Sequence, residues 1–210
     1  MKKIKLIIAM SGLTLLGFTS CSPEEDIKNP DFNPLIFGED FSKSTEDGTA
    51  LIAPGWINYS EAGTLLWKQG YHKVTPSNIY QGYAVFNSYQ SGQASNIGWL
   101  ISPKIDLDAQ EGEVLRFECA QAYVSSAANS IEVLISNNFD GTNVLGATWT
   151  PLDCTLPTTS SAYFYFTDSG EINLSSYTGK VNIAFRVKGS GTNTSLDGTY
   201  QVDNIRVYKK

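Results

Sequence analysis

Between residues 56 and 96 aromatic side chains stand among amides: Trp56, Trp67, Tyr71, Tyr80, Tyr83 and Tyr89 beside Asn58, Asn78, Asn87, Gln90 and Gln93. That mixture suits the holding of a sugar, whose C–H face packs on an aromatic ring while amides, hydroxyls or carboxylates reach its hydroxyl groups. Trp149 is a further aromatic of this kind. A core of ordinary size also takes up several aromatics, and Trp56 and Trp99 have the apolar neighbours of packing residues. Trp67, Tyr71 and Tyr89 have polar neighbours instead, which makes them the candidate ligand contacts.

Catalytic chemistry has less to draw on. His72 is the only imidazole, and no G-x-S-x-G elbow accompanies it, so a Ser/His/Asp triad lacks its context. A glycosidase needs two suitably spaced carboxylates, for which Glu61, Glu118, Glu132 and Glu171 are available. Glu118 and Glu132 alternate outward from apolar runs, as solvated strand-face acids do. The expectation is a protein that is not an enzyme, with a carbohydrate-active hydrolase as a minor alternative.

Charge narrows the partners. Fifteen Lys and Arg against 21 Asp and Glu give a formal charge of −6, without the basic footprint that nucleic acid requires. With one His and no closely spaced Cys pair, zinc fingers and His-rich metal sites are excluded as well. Lys2, Lys3 and Lys5 followed by the apolar stretch Ile4 to Phe18 predict a signal peptide over residues 1–20. Gly17-Phe18-Thr19-Ser20-Cys21 resembles a lipobox, in which Cys21 is acylated, and Ser22-Pro23-Glu24-Glu25-Asp26 resembles an acidic export signal of surface lipoproteins. These segments predict a bacterial outer-membrane lipoprotein facing the cell exterior, held to the membrane by lipid alone. Loss of the three leader lysines takes the formal charge to −9, which suits neutral glycans, basic partners or bound calcium. Cys119 and Cys154 remain, in a compartment where a disulfide is permitted; Cys119 also fits as a small core hydrophobe.

The elements that must position these groups are strands. Residues 21–34 carry Pro23, Pro30 and Pro34 without periodicity and form the expected tether, leaving 35–210 as a single domain. There the apolar period is two: Val114 to Cys119, Ile131 to Ser136, Tyr163 to Phe166, Val181 to Val187 and Tyr200 to Val207 are expected strands. Clusters such as Asn137 to Thr142, Asp168-Ser169-Gly170 and Gly189 to Asn193 supply turns between them. Pro103 inside the run Ile101 to Leu107 belongs at an edge or bulge. Many short strands without helices imply an all-β fold, two packed antiparallel sheets forming a sandwich or jelly roll.

Six pieces in order carry a resemblance. Phe37-Gly38-Glu39-Asp40-Phe41, Pro54-Gly55-Trp56, Trp67, Gly98-Trp99-Leu100-Ile101-Ser102-Pro103-Lys104-Ile105-Asp106-Leu107, the stretch from Asn173 to Phe185, and Gln201-Val202-Asp203-Asn204-Ile205-Arg206-Val207 resemble the cleaved-adhesin, or choice-of-anchor J, domains of bacterial surface proteins. The resemblance implies a jelly-roll sandwich of the galactose-binding-like and MAM-like kind, usually non-catalytic and often holding structural calcium. In related jelly rolls the first and last strands are neighbours, so Glu39 and Asp40 would meet Asp203 as candidate calcium ligands. The pair Asp203-Asn204, between the apolar Val202 and Ile205, also interrupts strict alternation and predicts a bulge or liganding turn.

Two functions follow as expectations. The first is a non-catalytic surface-anchored module binding carbohydrate or mediating adhesion to a host or matrix protein. The alternative is a structural or assembly subunit docking another cell-surface protein. An exposed aromatic platform beside amides favours the first, and a flat apolar patch or bare sheet edge favours the second.

Overall fold

The structure, a computed structural model, describes residues 33–74 and 79–210. The predicted leader, Cys21 and nearly all of the tether lie outside the described residues, as do the side chains of residues 73–80, Tyr80 among them. In chain order the strands are β1 (Leu35–Glu39), β2 (Ile57–Ala62), β3 (Lys68–Val74), β4 (Ile79–Asn87), β5 (Asn96–Ile101), β6 (Ile105–Asp106), β7 (Glu113–Ala122), β8 (Ser130–Ser136), β9 (Thr150–Pro151), β10 (Thr167–Asp168), β11 (Ile172–Asn173), β12 (Lys180–Gly189) and β13 (Thr199–Lys209). A 3-10 turn at Val144–Gly146 is the one helical element among the described residues.

The strands form two antiparallel sheets, as expected. The first runs β10-β7-β13-β4-β3, with β1 also on β13 and β11 on β7; the second runs β2-β5-β12-β8-β9, with β6 on β12. Alternation sends Leu115, Phe117 and Cys119 of β7 and Val202, Ile205 and Val207 of β13 inward to meet Val181, Ile183, Phe185 and Val187 of β12. Phe117 and Phe185 join the sheets edge to face, with ring centroids 5.1 Å apart at 83°. The sandwich is therefore one core between two layers.

Three strands of the second sheet, β5, β8 and β12, are buried on both faces. Trp99, Ile101, Leu134 and Ala184 point away from the main core and are covered by Phe139, Val144 and Trp149 from the following loop. Trp99 packs as expected; its Nε1–H donates to Glu61 Oε2 at 2.8 Å, and the Arg186 guanidinium lies 5.4 Å from the ring centroid. Trp56 is half-buried against Phe37 and Phe41. Pro103 falls between β5 and β6, outside any ladder.

One expected strand is not a strand. Tyr163 and Phe164 form a turn, and Tyr163, Phe164 and Tyr165 are all exposed. Four consecutive aromatics carry no alternation, so no single face could bury them. Cys119 and Cys154 are free thiols: Cys119 is core, and burial pushes its thiol far above the usual range, while burial pushes the Cys154 thiol up to about 11.

β1 does lie on β13, with Phe37 opposite Val207 and Glu39 opposite Ile205. The register of β13 on β7 shifts between Asp203 and Arg206, and Asn204 has φ of +51°, so the interruption at Asp203-Asn204 is the expected bulge.

Candidate functional site

The outward-facing residues of the first sheet floor a groove of about 1030 Å³, at the top of the roughly 300–1,000 Å³ typical of small-molecule sites. Thr199 and Gln201 of β13 stand opposite Asn87 and Val85 of β4, and Val85 in turn faces Lys68 of β3. Their neighbours Tyr200, Val202, Ala84 and Phe86 point into the core, so the same alternation that builds the sandwich lays a polar floor outside it. Tyr83 lies at one side, its ring across Gly70: a Cβ there would sit 2.0 Å from Tyr83 Cε2. Burial raises the Tyr83 hydroxyl above its ordinary range, while its contact with Gln201 acts in the opposite direction.

Three aromatics make one wall. Tyr123, Tyr163 and Phe164 line the groove and are 58%, 54% and 49% exposed. Their rings meet, Tyr123 with Tyr163 at 4.8 Å and with Phe164 at 5.9 Å. Tyr123 (φ +62°) and Phe164 (φ +59°) both hold left-handed backbone, which costs of order 1 kcal/mol or more each. The backbone is held there by hydrogen bonds from below. The Phe164 N–H donates to the Gln121 carbonyl at 2.8 Å, and the buried Gln121 side chain donates to Ser161 O at 2.7 Å and accepts from Val124 N at 3.2 Å. Tyr89 lines the groove from another loop, exposed, with its hydroxyl accepting from Gln90 Nε2 at 2.9 Å.

No known family pattern and no curated relative matches the chain. Solved structures do. The K2 cleaved adhesin domain of Lys-gingipain is 14% identical with a TM-score of 0.50, covering 85% of this chain and 97% of that one. The K1 domain of the same protein, from Porphyromonas gingivalis, is 17% identical (TM-score 0.49, 83% and 98% covered). A carbohydrate-binding module, TmCBM61, solved with β-1,4-galactotriose, is 12% identical (TM-score 0.43, 75% and 90% covered). The chain has the fold of a cleaved adhesin domain.

Within the cleaved-adhesin fold the three aromatics expected to touch ligand separate. Tyr89 is on the groove. Tyr71 is half-buried on β3 and does not line it. Trp67 is 1% exposed and belongs to the core, 5.7 Å from Phe86, so it is not a surface contact. Its polar surroundings are real but serve its backbone: Asn58 Nδ2 donates to Trp67 O at 2.7 Å and Trp67 N donates to Asn58 Oδ1 at 3.0 Å. Tyr123, Tyr163, Phe164 and Asp197 line the groove although their sequence neighbours do not mark them as ligand contacts. The one signal for two of them was the unalternating Tyr163-Phe164-Tyr165-Phe166 run.

The acids expected to meet do so in part. Asp203 is 6% exposed, and burial pushes its carboxyl up to about 7; a hydrogen bond from Asn204 N opposes the rise, and the charges of Glu118 and Asp40 add to it. Glu118 is thus no solvated strand-face acid: it is half-buried, and its Oε2 accepts from Asn204 Nδ2 at 2.7 Å. Glu39 turns into its own bend instead, accepting from Phe41 N at 3.0 Å with Lys43 at 3.9 Å. Asp40 accepts from the Ser42 hydroxyl and amide, and the first of these chiefly holds its carboxyl below the usual range. Among the described residues no group of three or more His, Cys, Asp or Glu is arranged to hold a metal ion.

Proposed function

We propose that the chain is a non-catalytic surface module that captures a glycan in the groove over the first sheet. The observation that carries this is the exposed aromatic wall Tyr123-Tyr163-Phe164 beside Thr199, Gln201, Asn87 and Gln90. Sugar C–H faces pack on such rings, and the hydroxyls then reach the amides and hydroxyls of the floor. The cleaved-adhesin fold, an adhesin domain in its K2 neighbour, supports a binding role over a catalytic one. Lipid on Cys21 would hold the domain at the outer membrane, with residues 22–34 giving reach.

A glycan array probed with the protein and with a Tyr123→Ala/Tyr163→Ala variant tests the reading. Binding by the wild type that is lost in a variant with unchanged melting temperature supports it. No binding to any glycan, with recovery of one stoichiometric surface protein from the native cell, replaces it with the docking role.

Calcium belongs to the proposal as a structural ion. What supports it is donor chemistry alone: Asp203 and Asp40 offer hard oxygens, and among the described residues no Lys or Arg forms a salt bridge with Asp203. With Glu39 turned aside, carbonyl and water oxygens would complete the six to eight ligands calcium takes. A rise in melting temperature with calcium over chelator supports the ion; equal melts remove it.

A further inference from the structure

We infer that Asp197 sets the charge preference of the groove, making it a site for neutral, hydroxyl-rich sugar units and excluding anionic glycans. This rests on the glycan reading above and deepens it by naming the ligand class and the residue that selects it. Asp197 lines the groove yet is only 7% exposed. Among the described residues no ion pair holds its carboxylate, and its oxygens are not among the fully buried polar atoms left without a partner, so the residue is enclosed while its acceptor atoms keep access to the groove. The loop that carries it is well tied: Ser190 N donates to Leu196 O at 2.8 Å, Leu196 N donates to Asn193 O at 2.9 Å, and the Ser190 hydroxyl accepts from Asn193 N at 3.1 Å. Gly198 follows at φ +151°, where a Cβ would stand 2.7 Å from Val124 Cγ2 and 2.9 Å from Asn129 Nδ2. The backbone that carries the carboxylate is therefore fixed on both sides of Asp197.

Thr199 and Gln201 continue the line at every second residue, both nearly buried, with Tyr123 and Tyr163 on the groove wall. A carboxylate can only accept, and adjacent sugar hydroxyls donate two hydrogen bonds to its two oxygens, each strengthened by the charge. Among the groove residues Asp47 is a second acid, Lys68 is the one cation, and there is no arginine. A uronate or sulfate entering beside Asp197 would meet like charge in a partly desolvated site, without the guanidinium fork that such anions need.

The test uses the full chain and soluble β-glucan, galactan and mannan, each also in a form oxidised to the carboxylate at its primary hydroxyl, together with a cationic de-N-acetylated amino-polysaccharide. Expected is binding of at least one neutral polymer, at least about tenfold weaker binding of its oxidised form, and no preference for the amino-polymer. Asp197→Asn should lose about tenfold in affinity for the neutral polymer and bind the oxidised form more nearly as well. Asp197→Ser serves if the amide variant fails to fold, and a thermal melt of each variant verifies folding. Equal wild-type binding of neutral and oxidised polymers, or preference for the amino-polymer, overturns the inference. So does an Asp197→Asn variant that binds like wild type while Tyr163→Ala does not bind, and in that case the glycan reading survives. If no polymer and no arrayed glycan binds the wild type, both fall together.

Discussion

Gln121 holds Phe164 in place: the Phe164 amide donates to the Gln121 carbonyl at 2.8 Å, and the Gln121 side chain bonds Ser161 O and Val124 N on either side of the aromatic wall. One buried side chain thus sets two loops that are about forty residues apart in sequence. Gln121→Leu leaves Ser161 O and Val124 N without these partners. Chemical denaturation should show a loss of about 1–3 kcal/mol, and glycan affinity should fall although Tyr123, Tyr163 and Phe164 are untouched. Unchanged affinity in a destabilised variant would show that the wall does not need this support.

Gly70 is the position over which Tyr83 lies flat, so Gly70→Ala forces the ring to move. The expected cost is about 1–3 kcal/mol, with loss of the Tyr83 contact to Gln201 on the groove floor. The melting temperature and the pH titration of tyrosine absorbance report the two effects separately.

Asp203 titrates near 7 in the folded protein, against about 3.9 for an unperturbed Asp. Between those values the folded state binds more protons than the unfolded state, so this group lowers stability as pH rises from 4 to 7. Its slope is at most about 1.4 kcal/mol per pH unit. In chelator, Asp203→Asn should flatten that part of the stability profile. A variant with the wild-type slope would place the titration elsewhere.

Arg186 anchors the opposite sheet and should leave the groove alone. Its guanidinium bonds Glu61 twice at 3.1 Å and Glu132 at 2.9 Å while lying over Trp99. Arg186→Met strands two carboxylates beside that ring, and a loss of about 1–3 kcal/mol is expected because the Arg186–Glu61 pair is three-quarters shielded from solvent. Glycan affinity measured well below the new melting temperature should equal wild type. A drop would mean that the two sheet faces communicate.

The strands at 114–119, 131–136, 181–187 and 200–207, the two-sheet architecture and the bulge at Asp203-Asn204 could be read without coordinates. Strand alternation is a local property, and each run carries its own period of two. Tertiary structure decided which faces matter. Trp67, among polar neighbours in sequence, is core because the connection entering β3, tied through its backbone to Asn58, places the ring against Phe86, while Tyr163 and Phe164, within an apolar run, are exposed because a turn replaces the strand. The groove draws Lys68, Val85, Tyr123, Tyr163 and the pair Asp197 and Gln201 from five separate segments. Residues brought together by sheet order share no spacing along the chain, so the aromatic wall and the unpaired Asp197 beside it emerge only when β13 is laid between β7 and β4.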